Sequence, residues 1–150
     1  MEGRHISGPY RLLLALAVAG LALTGGASCT GQEDPGDVAV RFYSAYLTGD
    51  HDTIMKHAYI EQSALHSEAA MQEFTGFMNE IAGKAQERIG RYGGLAGVRA
   101  TGVDKLEPFD GKEWTQVSLE ITAQDGSVHQ AKVRMCHATD MWKVQLGSEF

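Results

Sequence analysis

The sequence lacks several features that would assign it quickly to a functional class. Two cysteines among 150 residues are too few for a disulfide-built scaffold. Lys and Arg number 13 against 19 Asp and Glu, so the chain lacks the net positive surface that phosphate recognition needs. We therefore expect no nucleic-acid partner. A hydrophobic share of 43% predicts a folded chain, and a length of 150 residues predicts a single domain.

No apolar run of this sequence is long enough for a stable transmembrane helix. The run from Leu12 to Leu23 has twelve residues without a polar side chain, whereas a bilayer span needs about 20. Arg4 and Arg11 precede the run and small residues follow it, which is typical of a secretory leader. The sequence therefore predicts a signal peptide over residues 1–28.

The end of this leader, Thr24 to Ser28 followed by Cys29, resembles the lipobox of bacterial lipoproteins. The resemblance implies cleavage before Cys29 and a lipid on that residue, with a lipidated tether over residues 29–34. Gly26-Ala27-Ser28 also suits ordinary signal peptidase, so plain secretion and an uncleaved anchor are the alternatives. Thr30 stands where an inner-membrane retention signal has Asp, which implies an outer-membrane protein facing the periplasm in a Gram-negative cell.

Three helices are predicted after the tether. Asp34 and Pro35 begin the first, and Gly49 ends it. Asp50 or Asp52 can cap a short second helix. The third runs roughly over residues 67–90, because apolar residues recur at spacings of three and four: they are Met71, Phe74, Met78, Ile81, Ala85 and Ile89.

Three glycines, Gly76, Gly83 and Gly90, recur every seven residues on the opposite side of this third helix. Glycine in a helix interior costs about 1 kcal/mol relative to alanine. Either this face tolerates the glycines in solvent, or another backbone comes close to it.

The hydrophobic period changes to two after Gly93, which is typical of half-buried strands. A first strand begins near Val98, with a bulge at Gly102, and Asp110-Gly111 and Asp125-Gly126 are turn signals. The last strand places Trp142 and its alternate neighbours inward. The pattern predicts an α+β fold over residues 35–150, with three N-terminal helices packed on a curved four-stranded antiparallel sheet.

Three segments together resemble a known superfamily: they are PGDVAVRFYSAYLTGDHDT (35–53), FDGKEWTQVSLEITAQDGSVHQAKVRM (109–135) and MWKVQL (141–146). They are similar to small bacterial lipoproteins of the nuclear transport factor 2-like, or cystatin-like, superfamily, and in particular to its uncharacterised domain-of-unknown-function members. The resemblance covers roughly residues 35–147. It implies a helix-lined cone over a curved sheet, often with a pocket at the wide end, in a superfamily that includes isomerases, dehydratases and non-catalytic modules.

Catalytic groups are scarce on the predicted inner face of the sheet. Its strands carry no inward carboxylate, and the chain shows neither a Ser-His-Asp arrangement nor a phosphate-binding glycine loop. We therefore expect no catalytic residue and no cofactor. The alternative is an isomerase- or dehydratase-like enzyme with His129 as general base and Tyr46 or Tyr59 as hydrogen-bond donor.

Metal ligands are not expected either. His51, His57 and His66 are spaced by six and nine residues, so no pair shares a helical face as a spacing of four would allow. A second candidate is a group of soft ligands suited to Cu(I), which packing explains better: Met135, Cys136, His137 and Met141.

The predicted function is a non-catalytic cell-envelope lipoprotein module that binds a small apolar ligand or a protein partner. The candidate pocket residues are mostly apolar, with one imidazole: Phe42, Tyr46, Phe74, Met78, His129, Val133, Met135 and Trp142. If these side chains close into a core instead, the chain is a tethered scaffold or homodimerisation domain. Trp114 has outward parity and is expected to be exposed on the sheet face. The resemblance to the superfamily implies a homodimer through that face.

Overall fold

The computed structural model describes residues 33–61 and 65–146. Its elements are, in chain order, α1 (Pro35–Thr48), α2 (His51–His57), α3 (Glu68–Gly90), β1 (Leu95–Phe109), β2 (Lys112–Ala123), β3 (Val128–Ala138) and β4 (Met141–Gln145). The predicted signal peptide and Cys29 lie outside the described residues. None of the described helices is both long enough and apolar enough to cross a bilayer.

The helix ends form as the capping residues predict. The Asp34 carboxylate accepts hydrogen bonds from the backbone N–H groups of Gly36 and Asp37, at 2.8 and 3.3 Å. Gly49 ends α1 in the left-handed region, with φ of 82°, which glycine adopts without steric cost. The Ser67 hydroxyl caps α3 by accepting from the N–H of residue 70 at 3.2 Å. All three predicted helices are therefore confirmed.

The strands form one antiparallel sheet in the order β1-β2-β3-β4. Register shifts between Ala100 and Gly102, which confirms the predicted bulge. β1 begins earlier than predicted, because Leu95 already pairs with Ala123 and the Gln124 N–H donates to the Gly94 carbonyl at 2.9 Å. The helices cover one face of this sheet, so the predicted α+β class is confirmed.

The core lies between α1 and the inner face of the sheet. Phe42 and Tyr46 stack with their ring centroids 6.2 Å apart. Against them pack the inward residues of the sheet, which include Val117, Leu119 and Val133, all at most 1% exposed. The period-two alternation thus places its apolar side chains under the helices, as expected for a sheet with one buried face.

The prediction that Trp114 is exposed on the outer sheet face is wrong. Only 7% of this residue is exposed, although its outward parity was predicted correctly. Tyr59 covers it from the segment after α2, with the ring centroids 6.0 Å apart, and that segment is fixed by a Tyr59 N–H bond to the Val144 carbonyl at 2.7 Å. The indole N–H donates to the Phe109 carbonyl at 3.0 Å, and the Arg134 guanidinium lies 5.8 Å from the ring.

Candidate functional site

A cleft of about 730 Å³ lies between α3 and the sheet. Its α3 wall is one helical face, formed by residues spaced three and four apart: Ile81, Lys84, Ala85, Arg88 and Ile89. Its sheet wall is a run of four consecutive β3 residues, 129–132, together with Ser118 and Ile121 of β2. This volume falls within the range of small-molecule sites, about 300–1,000 Å³.

Tyr43, Tyr46 and Leu47 bring α1 to the cleft. The two tyrosine rings lie 5.8 Å apart, and the Tyr46 hydroxyl donates to the Ile81 carbonyl at 3.1 Å, which joins α1 to α3. Burial raises the pKa of Tyr46 to about 12, with a further contribution from Tyr43 and an opposing one from the Arg88 charge. Burial likewise raises the pKa of Tyr43. Both phenols are therefore neutral hydrogen-bonding groups at physiological pH.

The charged groups of the cleft wall are all basic. Lys84, Arg88 and Lys132 line it, and no Asp or Glu is among its described lining residues. Lys84 pairs with Glu80 one turn earlier on α3, but both side chains are well exposed, so this pair is weak. Arg88 forms no ion pair within residues 33–61 and 65–146 and lies close enough to oppose the pKa rise of both tyrosines. The cleft is a basic site in a chain of net charge −6.

His129 lines the cleft, and its ring centroid is 4.6 Å from that of Tyr92. Its Nε2 is 3.1 Å from the hydroxyl oxygen of Ser127. Tyr59, one of the donors considered for an enzyme, packs on Trp114 at the other face of the sheet. The enzyme alternative requires a hydrogen bond between His129 and a tyrosine. Among the described residues, His129 makes no such bond.

Of the residues predicted from the sequence for a pocket, Tyr46 and His129 line the cleft. The others belong to the packed interior: Phe42, Met78, Val133, Met135 and Trp142 are buried, and half-buried Phe74 packs against them. Sequence reasoning missed Lys84 and Arg88. The sequence does contain a pattern that indicates them. They are four residues apart, next to the apolar stripe, and the other charged residues of this helix are acidic.

The soft-ligand side chains near the end of β3 do not converge. Adjacent strand residues point to opposite faces, so Cys136 lies with Trp114 on the outer face while Met135 lies in the core. Burial raises the pKa of the Cys136 thiol, although nearby Lys112 and Lys143 oppose the rise. In the part of the chain that the structure describes, no group of three or more His, Cys, Asp or Glu residues could hold a metal ion.

A second set of polar atoms lies under the other end of the sheet. Both ring nitrogens of His57, Nε2 of His137 and the indole nitrogen of Trp142 are buried, and none has a hydrogen-bond partner among the described residues. The rings of His137 and Trp142 meet edge to face with centroids 5.2 Å apart. None of these residues lines the cleft, so this set is separate from it.

No protein-family model matches the chain, and no curated protein matches it. A crystal structure from Campylobacter jejuni, provisionally named an NTF2-like transpeptidase, is similar over 77% of this chain and 100% of its own, with a TM-score of 0.62 and 17% identity. At this identity the likeness shows the fold alone. The fold of the described chain is therefore nuclear transport factor 2-like, as the sequence resemblance implied.

Proposed function

We propose that this protein is a non-catalytic binding module of the cell envelope, and that the cleft between α3 and the sheet is its binding site. The ligand has an apolar body and a negatively charged group. The observation that carries this proposal is the lining of the cleft: apolar side chains and neutral tyrosines, with the basic side chains of Lys84, Arg88 and Lys132 and no carboxylate among the described lining residues. Mostly apolar concave sites with a few orienting polar groups are typical of binding sites.

The basic side chains of the cleft add a negatively charged group to the apolar ligand expected from the sequence. A cation that is not already paired can form a charge-assisted hydrogen bond with an incoming anion, and such bonds are roughly twice as strong as neutral ones. Arg88 satisfies this condition within the described chain, whereas Lys84 must exchange its contact with Glu80. Arg88 is therefore the primary anchor of the anionic group, and Lys84 is secondary.

The proposed location of the module is the outer membrane of a Gram-negative cell. The signal peptide over residues 1–28 and the lipid on Cys29 place the module on the outer membrane, facing the periplasm, in a Gram-negative cell. Cleavage leaves 11 basic residues, 13 − 2, and 18 acidic residues, 19 − 1, so the mature chain has a net charge of −7. A body of this charge is repelled by anionic lipid headgroups.

Calorimetric titration of the full chain with phenylbutyrate, and with phenylbutanol as its neutral counterpart, tests the cleft. We expect the acid to bind and the alcohol to bind more weakly. Arg88→Ala should weaken the acid by about tenfold, the factor that corresponds to 1.4 kcal/mol of lost interaction with a charge. The same variant should leave the affinity for the alcohol nearly unchanged.

Arg91→Ala is the matched control, because Arg91 is an exposed cation at the C-cap of α3 that does not line the cleft. It should bind phenylbutyrate as the unmodified chain does. Equal affinity for acid and alcohol, or equal losses in the two arginine variants, would contradict an anion-binding cleft.

A further inference from the structure

One edge of β3 has no partner strand over half its length in the described chain. β2 pairs with β3 from Val128 to Cys136, but β4 pairs with it only from Arg134 to Ala138. The stretch from Val128 to Val133 therefore presents an open edge, and residues 129–132 of that stretch line the cleft. At about 3.4 Å per residue this edge is roughly 17 Å long, enough for a five-residue extended segment.

The backbone groups at this edge can be assigned from the two hairpins that flank β3. The Ala123 N–H donates to the Ser127 carbonyl at 2.9 Å, so every second residue from Ser127, including His129 and Ala131, bonds to β2. In the other hairpin Ala138 faces Met141 across a two-residue turn, and such a flanking pair is hydrogen-bonded.

Both hairpins assign the same alternate residues of β3 to the open edge. Every second residue before Ala138, including Lys132 and Gln130, directs its N–H and C=O groups away from β2 and toward that edge. Both residues line the cleft, although their side chains have outward parity.

The wall facing this edge supplies cations rather than backbone groups. Lys84 and Arg88 lie one turn apart on α3, on the side that faces the cleft. A groove between an open strand edge and a helix accepts an extended peptide, whose backbone bonds to the strand while alternate side chains meet the helix. Because the helix side chains here are basic, a peptide with acidic side chains is the complementary occupant.

Building on the proposed binding function of the cleft, we propose that its ligand is an extended acidic peptide segment. The segment pairs with the backbone of Gln130 and Lys132 as a fifth strand of the sheet, and its carboxylates contact Arg88 and Lys84. The side chains that alternate with the carboxylates point to the opposite face of the sheet, away from α3.

The probe is the capped peptide acetyl-Val-Glu-Val-Glu-Val-amide, titrated into the full chain and followed by amide hydrogen exchange. At about ten times its Kd, the peptide should slow exchange at Gln130 and Lys132 by about tenfold, because their amides are covered in proportion to occupancy. The amide of Ala131 is the internal control, since its N–H already bonds to β2 and its exchange should change little.

Two N-methylated versions of the probe separate strand pairing from simple charge attraction. Methylation at the glutamates and methylation at the valines each block one edge of the peptide, so one of the two peptides should lose binding and the other should keep it. Arg88→Ala should weaken the unmodified peptide by about tenfold, whereas Arg91→Ala should not.

Several results would overturn the peptide assignment. Unchanged exchange at Gln130 and Lys132 with the peptide bound would do so, as would equal binding of both methylated peptides. Phenylbutyrate binding without peptide binding would limit the cleft to small carboxylates and leave the proposed function standing. Protection of the same amides by a second copy of the chain, rising with protein concentration and without peptide, would assign the edge to a dimer instead.

Discussion

At the scale of single residues, His57 is a titratable side chain that the fold buries almost completely, with 1% exposed. Burial lowers its pKa, and the charges of Arg41 on α1 and Lys56 on α2 lower it further, against opposing effects of the Trp142 backbone and Glu33. An imidazole held in this way is neutral in the folded chain. Neither ring nitrogen makes a hydrogen bond of normal geometry to the described residues, so burial outweighs the opposing effect of the Trp142 backbone.

The buried imidazole predicts a loss of stability in acid. The unfolded chain binds a proton on His57 near pH 6.5, whereas the folded chain binds it only at lower pH. The His57 contribution is therefore complete above about pH 6.5 and falls as the pH drops through the range between the two pKa values. A single proton gives a slope of at most about 1.4 kcal/mol per pH unit.

Urea unfolding of the unmodified chain and of His57→Leu, from pH 7.5 down to about pH 5, measures this slope. We expect the free energy of unfolding of the variant to depend less on pH than that of the unmodified chain. His66→Ala is the control, because His66 is exposed and its replacement should leave the slope as it is. Parallel pH profiles for the unmodified chain and His57→Leu would refute the prediction.

At the scale of secondary structure, the sequence left open whether the glycine face of α3 lies in solvent or against another backbone. A Cβ atom added at Gly76 or Gly83 would meet nothing within 4 Å in the described part of the chain. These positions face open space, and no other described backbone approaches them. The glycines therefore weaken α3 through the conformational entropy that glycine loses on folding.

Gly76→Ala and Gly83→Ala should each stabilise the fold by about 1 kcal/mol, the propensity difference in a helix interior. Gly49→Ala should destabilise it by about 1–2 kcal/mol, because Gly49 has a φ of 82° and a side chain there is strained. Urea or thermal unfolding of the three variants gives the comparison. A loss of stability in Gly83→Ala would mean that some further segment packs on this face of α3.

The elements of this fold follow largely from local signals. Asp34, Pro35 and Gly49 mark α1 through caps that involve residues close in sequence, and Asp125-Gly126 marks a hairpin in the same way. Such signals need no knowledge of tertiary structure, which is why helix ends and turns were predicted correctly.

The cleft and the cover of Trp114 depend instead on distant segments. The stripe that contains Ile81 and Ala85 has the same sequence pattern whether α3 lies flat on the sheet or stands away from it. The aromatic cover of Trp114 comes from Tyr59, more than fifty residues earlier. Periodicity therefore predicts which face is apolar, but not whether that face closes or what lies over its edge.

At the scale of the whole molecule, location is tested through Cys29. In the native host, the unmodified chain should be found in the membrane fraction with a mass increased by its lipid. Cys29→Ser should leave the membrane fraction or accumulate with its leader uncleaved, because the acceptor thiol is gone. Equal membrane association of both forms at the unmodified mass would show that no lipid is attached.

Charge is distributed unevenly over the molecule. The chain as a whole is acidic, yet the cleft lining is basic, so the long-range field and the local field of the site have opposite signs. An acidic ligand is repelled at a distance and attracted at the cleft. Its association should therefore become faster as added salt screens the long-range repulsion, while its dissociation also becomes faster.

The position of Cys136 sets the chemical lifetime of the folded chain. Its side chain is fully buried beneath the outer-face cover, and its raised pKa keeps it as a thiol, whereas oxidants and disulfides react with the thiolate. In an oxidising compartment this sulfur can react only while the sheet is open. The oxidation rate of Cys136 is then limited by how often the sheet opens, so a more stable sheet also slows oxidative inactivation.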